Sequence, residues 1–174
     1  MEDLVFDVTL NDGGTKTIRV PKGFVTDLAS TPRIVWSVYP PFGNYLTASI
    51  LHDYLYWRQS CTKDQADKIL YQTMRDGGAS QTTQTLFIDA LGAAGGAAWR
   101  SNAEEVSQHL IRVIPPQYIP TDANILWDPY RRSMQQQGVR ELPVASDANL
   151  PEVCAALGNE IKPVTNVIAA LRSK

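Results

Sequence analysis

A pair of ionisable residues inside an apolar helix constrains this chain more than any other feature. Residues 44–60 predict a helix, with Asn44 as its N-cap, and His52 and Asp53 stand in the middle of it. The apolar side chains of this helix are Leu46, Ala48, Ile50, Leu51, Leu55 and Trp57. Such a helix is expected to be largely buried, and a buried charge costs free energy unless it is paired or coordinated. We therefore predict that His52 and Asp53 form one wall of a polar site that the rest of the chain builds.

The two ionisable residues are neighbours on the helix, so their side chains point in different directions. His52 shares a face with Tyr56, and Asp53 points about a quarter-turn away. The pair must therefore flank a shared site or have separate partners. The alternative is purely structural, with His52 as a satisfied core histidine and Asp53 as a buried hydrogen-bond acceptor.

A second helix is predicted directly after the first, which makes a helical hairpin. Thr62 to Gln65 is a capping-box pattern, and Gly77-Gly78 ends the helix. Asp67 lies at the border of its inward face, so it can approach His52 or Asp53 from the facing helix. An acidic partner would fix the tautomer of the imidazole and raise its basicity. The first-turn residues at positions 63 and 64 are expected to be solvated.

The N-terminal residues predict a small antiparallel sheet. Residues 4–10 and 15–20 alternate in polarity, and the Asn-Asp-Gly-Gly sequence between them favours a hairpin turn. Residues 24–26 are expected to add a short third strand. The loop that follows carries Asp27 and Ser30, each of which fits either a turn cap or a group that enters the His52 site.

The rest of the chain completes an α+β fold with an irregular C-terminal arm. Residues 82–99 predict a third helix, on which Asp89 is either a second acidic group facing the site or a surface residue. Beyond it, residues 114–120 are expected to be extended, and residues 151–156 and 164–172 to be short helices. We expect one domain over residues 1–100 and an extension over residues 101–174 that docks on the domain or on a partner subunit.

Composition sets bounds on the function. The 174 residues are 44% hydrophobic and 20% charged, which is typical of a soluble globular protein. A net charge of -2 gives no electrostatic reason to expect a nucleic-acid partner. The longest apolar stretch, residues 86–99, is short for a bilayer and contains a carboxylate, so no membrane span is expected.

The two cysteines and the first residues bear on the compartment. Cys61 and Cys154 are far apart in the sequence and match no zinc or redox spacing, so a disulfide framework is not expected. The acidic start of the chain passes directly into strand-like sequence and shows no signal peptide. A reducing cytoplasm is therefore the expected place of synthesis.

Three motifs in this order resemble a domain family of unknown function that is common in bacteriophage and prophage genomes. They are residues 23–32 (GFVTDLASTP), residues 52–56 (HDYLY) and the Ala-Asp pair at residues 66–67. The resemblance covers about residues 18–100 and implies a viral origin without a settled activity. The positions that it implies for the site are Asp27, Ser30, His52, Asp53, Tyr56 and Asp67.

A second resemblance concerns the first helix alone. His52-Asp53-x-x-Tyr56 is similar to the His-Asp-x-x-Tyr stretch of secreted phospholipase A2, in which the His activates water and the Asp helps to hold calcium. A His base beside a carboxylate that binds a hard cation is coherent chemistry for ester hydrolysis. The chain departs from that family because it lacks the flanking cysteines, the disulfide-rich frame and the usual Gly-rich calcium loop.

The first functional hypothesis is a hydrolase of unknown substrate. His52 would be the general base, Asp67 would orient it, and Asp53 with Asp27 would bind a divalent cation or water. Tyr56 would support the site. Ser30 as a nucleophile is a minor variant, since no nucleophile-elbow motif surrounds it.

Two other hypotheses assign no chemistry to the polar residues. One is a virion protein of the tail or baseplate, in which the polar cluster is a structural network and the C-terminal arm binds protein partners or a second copy of the chain. The other is an accessory protein that inhibits a host factor. The expected location is the host cytoplasm during synthesis, and the virion in the structural case.

Overall fold

The chain begins with a hairpin of two antiparallel strands. The structure, a computed structural model, describes residues 2–10, 12–26, 45–122 and 124–160. Strand β1 (Leu4–Thr9) pairs with β2 (Thr15–Val20), with Leu4 opposite Val20 at one end of the ladder. On the inner face Val8, Ile18 and Val20 are buried, which confirms the period-two pattern.

The third strand predicted at residues 24–26 is wrong. Phe24 makes an isolated antiparallel bridge with Val113 instead. Gly23 precedes the bridge with φ +90°, and a Cβ atom there would lie 2.5 Å from the carbonyl oxygen of Ile114. The crossing therefore requires glycine. Its partner lies almost ninety positions further along the chain, beyond the reach of any local pattern.

The predicted helical hairpin is present. Helix α1 (Leu46–Arg58) has every side chain from Leu51 to Trp57 buried, and α2 (Lys63–Asp76) packs against it. The Thr62–Gln65 capping box starts α2, as predicted, and α2 ends at Gly77. Tyr45 precedes α1 without a side-chain cap, and Asn44, the predicted N-cap, lies outside the described residues.

The third helix continues beyond residue 99, because the sequence from 101 onward, which can also form a short helix, joins it without a break. It comprises α3 (Gln81–Ala90), one π turn (Leu91–Gly95) and α4 (Gly96–Ser107), which follow one another without a break. Three glycines, Gly92, Gly95 and Gly96, lie in or next to the π turn. π turns inside helices often mark functional positions.

The C-terminal segment is more helical than expected. It contains α5 (Trp127–Gln136) and α6 (Leu150–Glu160), with short 3₁₀ turns at Pro116–Tyr118 and Ala145–Asn149. Helix α6 confirms the helix predicted at residues 151–156 and packs against α2 and β2. The extended stretch predicted over residues 114–120 contains a 3₁₀ turn, α5 was not predicted, and residues 164–172 lie outside the described residues.

The expectation of no disulfide is wrong. Cys61, between α1 and α2, is bonded to Cys154 on α6, and their Cα atoms are 5.4 Å apart. Both cysteines are buried. The two cysteines are 93 residues apart in the sequence, and they come together because α6 packs on the helical hairpin. The bond fastens the C-terminal segment to the turn of that hairpin.

The α+β class is confirmed, and one main core joins its parts. That core unites the inner face of the β-hairpin with α1, α2 and α6, including Val20, Leu51, Ile69 and Leu157. Within the described residues, no helix is long and apolar enough to cross a membrane.

Candidate functional site

The helical hairpin brings His52 and Asp67 together. Nε2 of His52, on α1, lies 2.8 Å from Oδ1 of Asp67, on α2. The His52 side chain is 2% exposed and the Asp67 side chain 12%. The Asp67 carboxylate can only accept a hydrogen bond, so it holds the His52 imidazole in the tautomer with the proton on Nε2. Nδ1 is then the ring nitrogen left to accept a proton.

Two further side chains complete the cluster around Asp67. The Tyr56 hydroxyl donates to Oδ1 at 2.7 Å, and Nζ of Lys63 donates to Oδ2 at 2.6 Å. The rings of His52 and Tyr56 lie one helical turn apart, with centroids separated by 4.1 Å. We call His52, Tyr56, Lys63 and Asp67 the Asp67 cluster.

The expectation that Lys63 is solvated is wrong. Lys63 lies four residues before Asp67, so the two side chains meet on one face of α2, and only 30% of the lysine is exposed. Asp64 is solvated as expected: it is 65% exposed and pairs with Lys68. The i, i+4 spacing of Lys63 and Asp67 was the signal for this ion pair.

The charges in the cluster are complementary. Burial raises the pKa of the Asp67 carboxyl, but hydrogen bonds from His52, Lys63 and Tyr56 outweigh burial and leave the pKa below its usual value. Burial first, and then the Asp67 charge, raise the pKa of Tyr56 above its usual range. Asp67 is therefore a carboxylate at neutral pH, and Tyr56 stays protonated as a donor.

The π turn lies directly against this cluster. A Cβ atom added at Gly95 would lie 3.0 Å from Cε of Lys63 and 3.1 Å from the Tyr56 hydroxyl. Trp99, one turn further on, packs edge-on against the Tyr56 ring at 5.0 Å. Gly95 thus lets the helix backbone approach the polar side chains closely.

Asp53 has a different partner from His52. One carboxylate oxygen of Asp53, which is buried, accepts a hydrogen bond from the hydroxyl of Thr26. Among the described residues, the hydrogen bonds of His52 and Asp53 go to different side chains. Asp27 follows Thr26 in the chain, but Asp27 and Ser30 lie outside the described residues. Asp89 is exposed, which agrees with a surface role.

The metal hypothesis rests on two carboxylates, Asp53 and Asp27. Asp53 is described and Asp27 is not. Within the described ranges, no group of three or more His, Cys, Asp or Glu side chains could hold a metal ion. The chemistry that the described atoms support is proton transfer, because an imidazole paired with a carboxylate is a competent general base.

A second polar cluster, which the sequence analysis did not predict, lies against α1. Glu141 Oε1 accepts hydrogen bonds from Trp57 Nε1 at 3.0 Å and from the backbone N–H groups of residues 112 and 113 at 2.6 and 2.8 Å. Its Oε2 accepts from Arg58 at 3.2 Å. Asp147 binds the same arginine at 2.5 Å and the Tyr54 hydroxyl at 2.6 Å. We call Tyr54, Trp57, Arg58, Glu141 and Asp147 the Glu141 cluster.

The sequence contained little signal for the Glu141 cluster. Glu141 stands between Arg140 and the Leu-Pro-Val run at residues 142–144. The pKa of Tyr54 is raised above the usual tyrosine range, first by burial and then by the hydrogen bond to Asp147. The tyrosine therefore acts only as a donor, and the cluster fixes the C-terminal segment to α1.

Comparison with known proteins gives one match. Residues 3–90 match a family described as a protein of unknown function, DUF1353. The matched residues include the β-hairpin and the whole Asp67 cluster, and they exclude α4 and the C-terminal segment. No curated protein and no solved structure matches the chain.

Proposed function

This chain belongs to the DUF1353 family of proteins of unknown function, and from that premise we propose that it is a phage-encoded hydrolase with His52 as its general base. The observation that carries the proposal is the 2.8 Å contact between His52 Nε2 and Asp67 Oδ1. It orients a buried imidazole in the way that acid–base chemistry requires. The phage origin rests on the motif resemblance in the sequence.

The proposed step uses the free nitrogen of the imidazole. Nδ1 takes a proton from water, whose oxygen attacks the electrophilic centre of the substrate, and the imidazolium then returns the proton to the leaving group. Asp67 stabilises the imidazolium. Tyr56 and Lys63 hold Asp67 in place through hydrogen bonds of 2.7 and 2.6 Å, so they act as positioning residues.

The remaining site residues have supporting roles in the proposal. Asp53, with Asp27, binds the attacking water or a divalent cation, since carboxylate oxygens are the ligands that hard cations prefer. The hydrogen bond from Thr26 to Asp53 ties the residue before Asp27 to α1. Ser30 as a nucleophile is the minor variant.

The test is hydrolysis by the full chain of three bond classes: a lipid ester, peptidoglycan and a phosphodiester. We expect turnover of one class, and His52→Ala should lower the rate by at least about a hundredfold. Asp67→Asn, which preserves the size of the side chain, should lower it by a similar factor because the tautomer is no longer fixed. Circular dichroism should show that both variants remain folded.

The matched control is Asp64→Asn, on the same helix and 65% exposed, which should leave the rate unchanged. Absence of wild-type activity on all three classes would contradict the hydrolase. Equal loss of activity in the Asp64 and Asp67 variants would show that the His52–Asp67 bond has no special role.

The second candidate is a virion structural or assembly protein. It is favoured by adjacent exposed apolar residues in the C-terminal segment, Ile125 at 40% and Leu126 at 72% exposure. Exposed apolar groups of this kind favour a protein partner or a second copy of the chain. In this function the Asp67 cluster is a buried network that stabilises the helical hairpin, as the low exposure of His52 permits.

Sedimentation of the full chain separates the two candidates. Assembly predicts oligomers that Leu126→Ser disrupts, while Leu142→Ser, at a position 53% exposed, leaves them intact. A monomer at all concentrations that co-purifies with no particle would count against assembly. A monomer with activity that depends on His52 would establish the hydrolase alone.

A further inference from the structure

A cleft of about 300 Å³ lies outside the Asp67 cluster, beside the end of α4. Its apolar lining comes from Trp57, Val106 and Leu110, and its outer polar lining includes His109 and Arg140. The volume is at the lower end of the range for small-molecule sites. A mostly apolar wall with a few polar groups is the usual composition of such sites.

One cation of the wall, Arg140, has no carboxylate partner among the described residues. Arg58 and Glu141 also line the cleft, but they are paired with each other at 3.2 Å. The other Glu141 oxygen accepts the Trp57 N–H and two backbone N–H groups. Arg140 is exposed, and among the described residues no carboxylate forms an ion pair with it; its guanidinium only approaches the carbonyl of Val139, at 3.5 Å.

His109 is held in a backbone conformation that disfavours a side chain. Its φ is +56°, in the left-handed region that glycine usually occupies after a helix. The backbone N–H of His109 donates to the carbonyl of Val106 at 3.0 Å, and that of Leu110 to Glu105 at 3.1 Å, which closes the end of α4. Glycine would satisfy this turn with less strain. The chain has instead an imidazole, which lines the same cleft as the unpaired Arg140.

We propose that this cleft binds a small organic monocarboxylate with an apolar body. The carboxylate pairs with Arg140 and accepts a hydrogen bond from His109, and the apolar body lies against Val106, Leu110 and the small exposed edge of Trp57. Guanidinium groups match carboxylates in geometry as well as in charge. A phosphate dianion fits less well, because its second charge would face Glu141 without a further cation.

The test is titration of the full chain with benzoate. Binding is measured by isothermal titration calorimetry and by the shifts of the indole N–H signals in NMR spectra. We expect saturable binding of benzoate, with the Trp57 indole signal shifting most. Benzyl alcohol, which lacks the charge, and phenyl phosphate, which carries a second one, should each bind at least about tenfold more weakly.

Two variants locate the site. Arg140→Gln should weaken benzoate binding by at least about tenfold, because it removes the one cation without an ion pair among the described residues that line the cleft. His109→Gly should also weaken it, while the melting temperature stays level or rises, because glycine relieves the left-handed conformation. The matched control, Arg132→Gln, changes an exposed arginine on α5 that does not line the cleft.

Each outcome decides the matter. Loss of binding in Arg140→Gln and retention in Arg132→Gln establish the site. Absent benzoate binding, or equal binding by wild type and Arg140→Gln, overturns it. Tighter binding of phenyl phosphate than of benzoate overturns the assignment to monocarboxylates. A melting temperature that falls in His109→Gly would show that the imidazole stabilises the turn itself.

Discussion

Helix α1 contributes side chains to two carboxylate-centred clusters, and the clusters differ in what the partners of the carboxylate can do. Asp67 is bound by an imidazole, a phenol and an ammonium group, and the imidazole keeps a second ring nitrogen with a lone pair that can accept a proton. Glu141 is bound by an indole N–H, two backbone N–H groups and a guanidinium, none of which loses a proton under ordinary conditions. Only the Asp67 cluster is therefore equipped for acid–base chemistry.

The clusters also differ in the sequence distance that they span. The His52–Asp67 bond joins residues 15 positions apart, within one helical hairpin. The Trp57–Glu141 bond joins residues 84 positions apart and holds the C-terminal segment on α1. The first cluster belongs to the hairpin itself, and the second depends on the docking of residues beyond 100. Breaking each connection separately tests this division.

The largest effect is expected from the disulfide, the covalent part of the long-range attachment. Replacing both Cys61 and Cys154 with Ala should lower the free energy of unfolding by about 4 to 5 kcal/mol, because the bond closes a long loop in the unfolded chain. Urea unfolding followed by circular dichroism measures the change. Dithiothreitol should produce a similar loss in the wild type and none in the double variant. A wild-type curve that reductant does not move would contradict the bond.

The next largest effect is expected from Glu141. Glu141→Ala should cost about 3 kcal/mol of unfolding free energy, because it leaves the Trp57 indole, two backbone N–H groups and Arg58 without their acceptor. Glu141→Gln keeps a carbonyl oxygen for the N–H groups and should cost only about 1 kcal/mol. Urea unfolding of both variants measures the difference, with Glu152→Ala, at an exposed glutamate, as the control. Equal losses in the two Glu141 variants would show that the charge alone matters.

Acid should weaken the Asp67 cluster. Its folded pKa lies below the unfolded value of 3.8, so its contribution is complete above about pH 4 and is lost as pH falls through the folded value. Asp67→Asn should therefore cost about 2 kcal/mol at pH 6, and the gap from wild type should narrow below pH 4. Urea unfolding at pH 6, 3 and 2 measures the gap. Asp64→Asn should differ little from wild type at every pH, and an Asp67 gap that stays constant in acid would contradict the ionised carboxylate.

The sequence predicted the elements whose partners are local. The β-hairpin, the capping box at Thr62 and the approach of α2 to His52 follow from patterns that span a few residues to one hairpin. The third strand, the absence of a disulfide and the solvation of Lys63 were wrong. The strand failed because Phe24 pairs with Val113, and the disulfide because its two cysteines meet only after α6 has docked. Asp27 and Ser30 stay predictions, because they lie outside the described residues.

The smallest effect distinguishes two glycines in the same π turn. Gly92 has no atom within 4 Å of an added Cβ, so Gly92→Ala should stabilise the helix by up to about 1 kcal/mol through its intrinsic preference for alanine. At Gly95 the same Cβ would meet Lys63 at 3.0 Å and the Tyr56 hydroxyl at 3.1 Å. Gly95→Ala should therefore lose that gain, and the two variants should differ by about 1 kcal/mol in urea unfolding.

The position of Gly95 also makes the prediction specific to the Asp67 cluster. Lys63 is flexible and can withdraw, whereas the Tyr56 ring is fixed by its contact with Trp99, so the strain should fall on the bonds to Asp67. In the Asp67→Asn background those bonds are weakened, and the difference between the two alanine variants should shrink. An unchanged difference would mean that Gly95 only shapes the helix. A smaller one would show that the π turn presses on the same hydrogen bonds that orient His52.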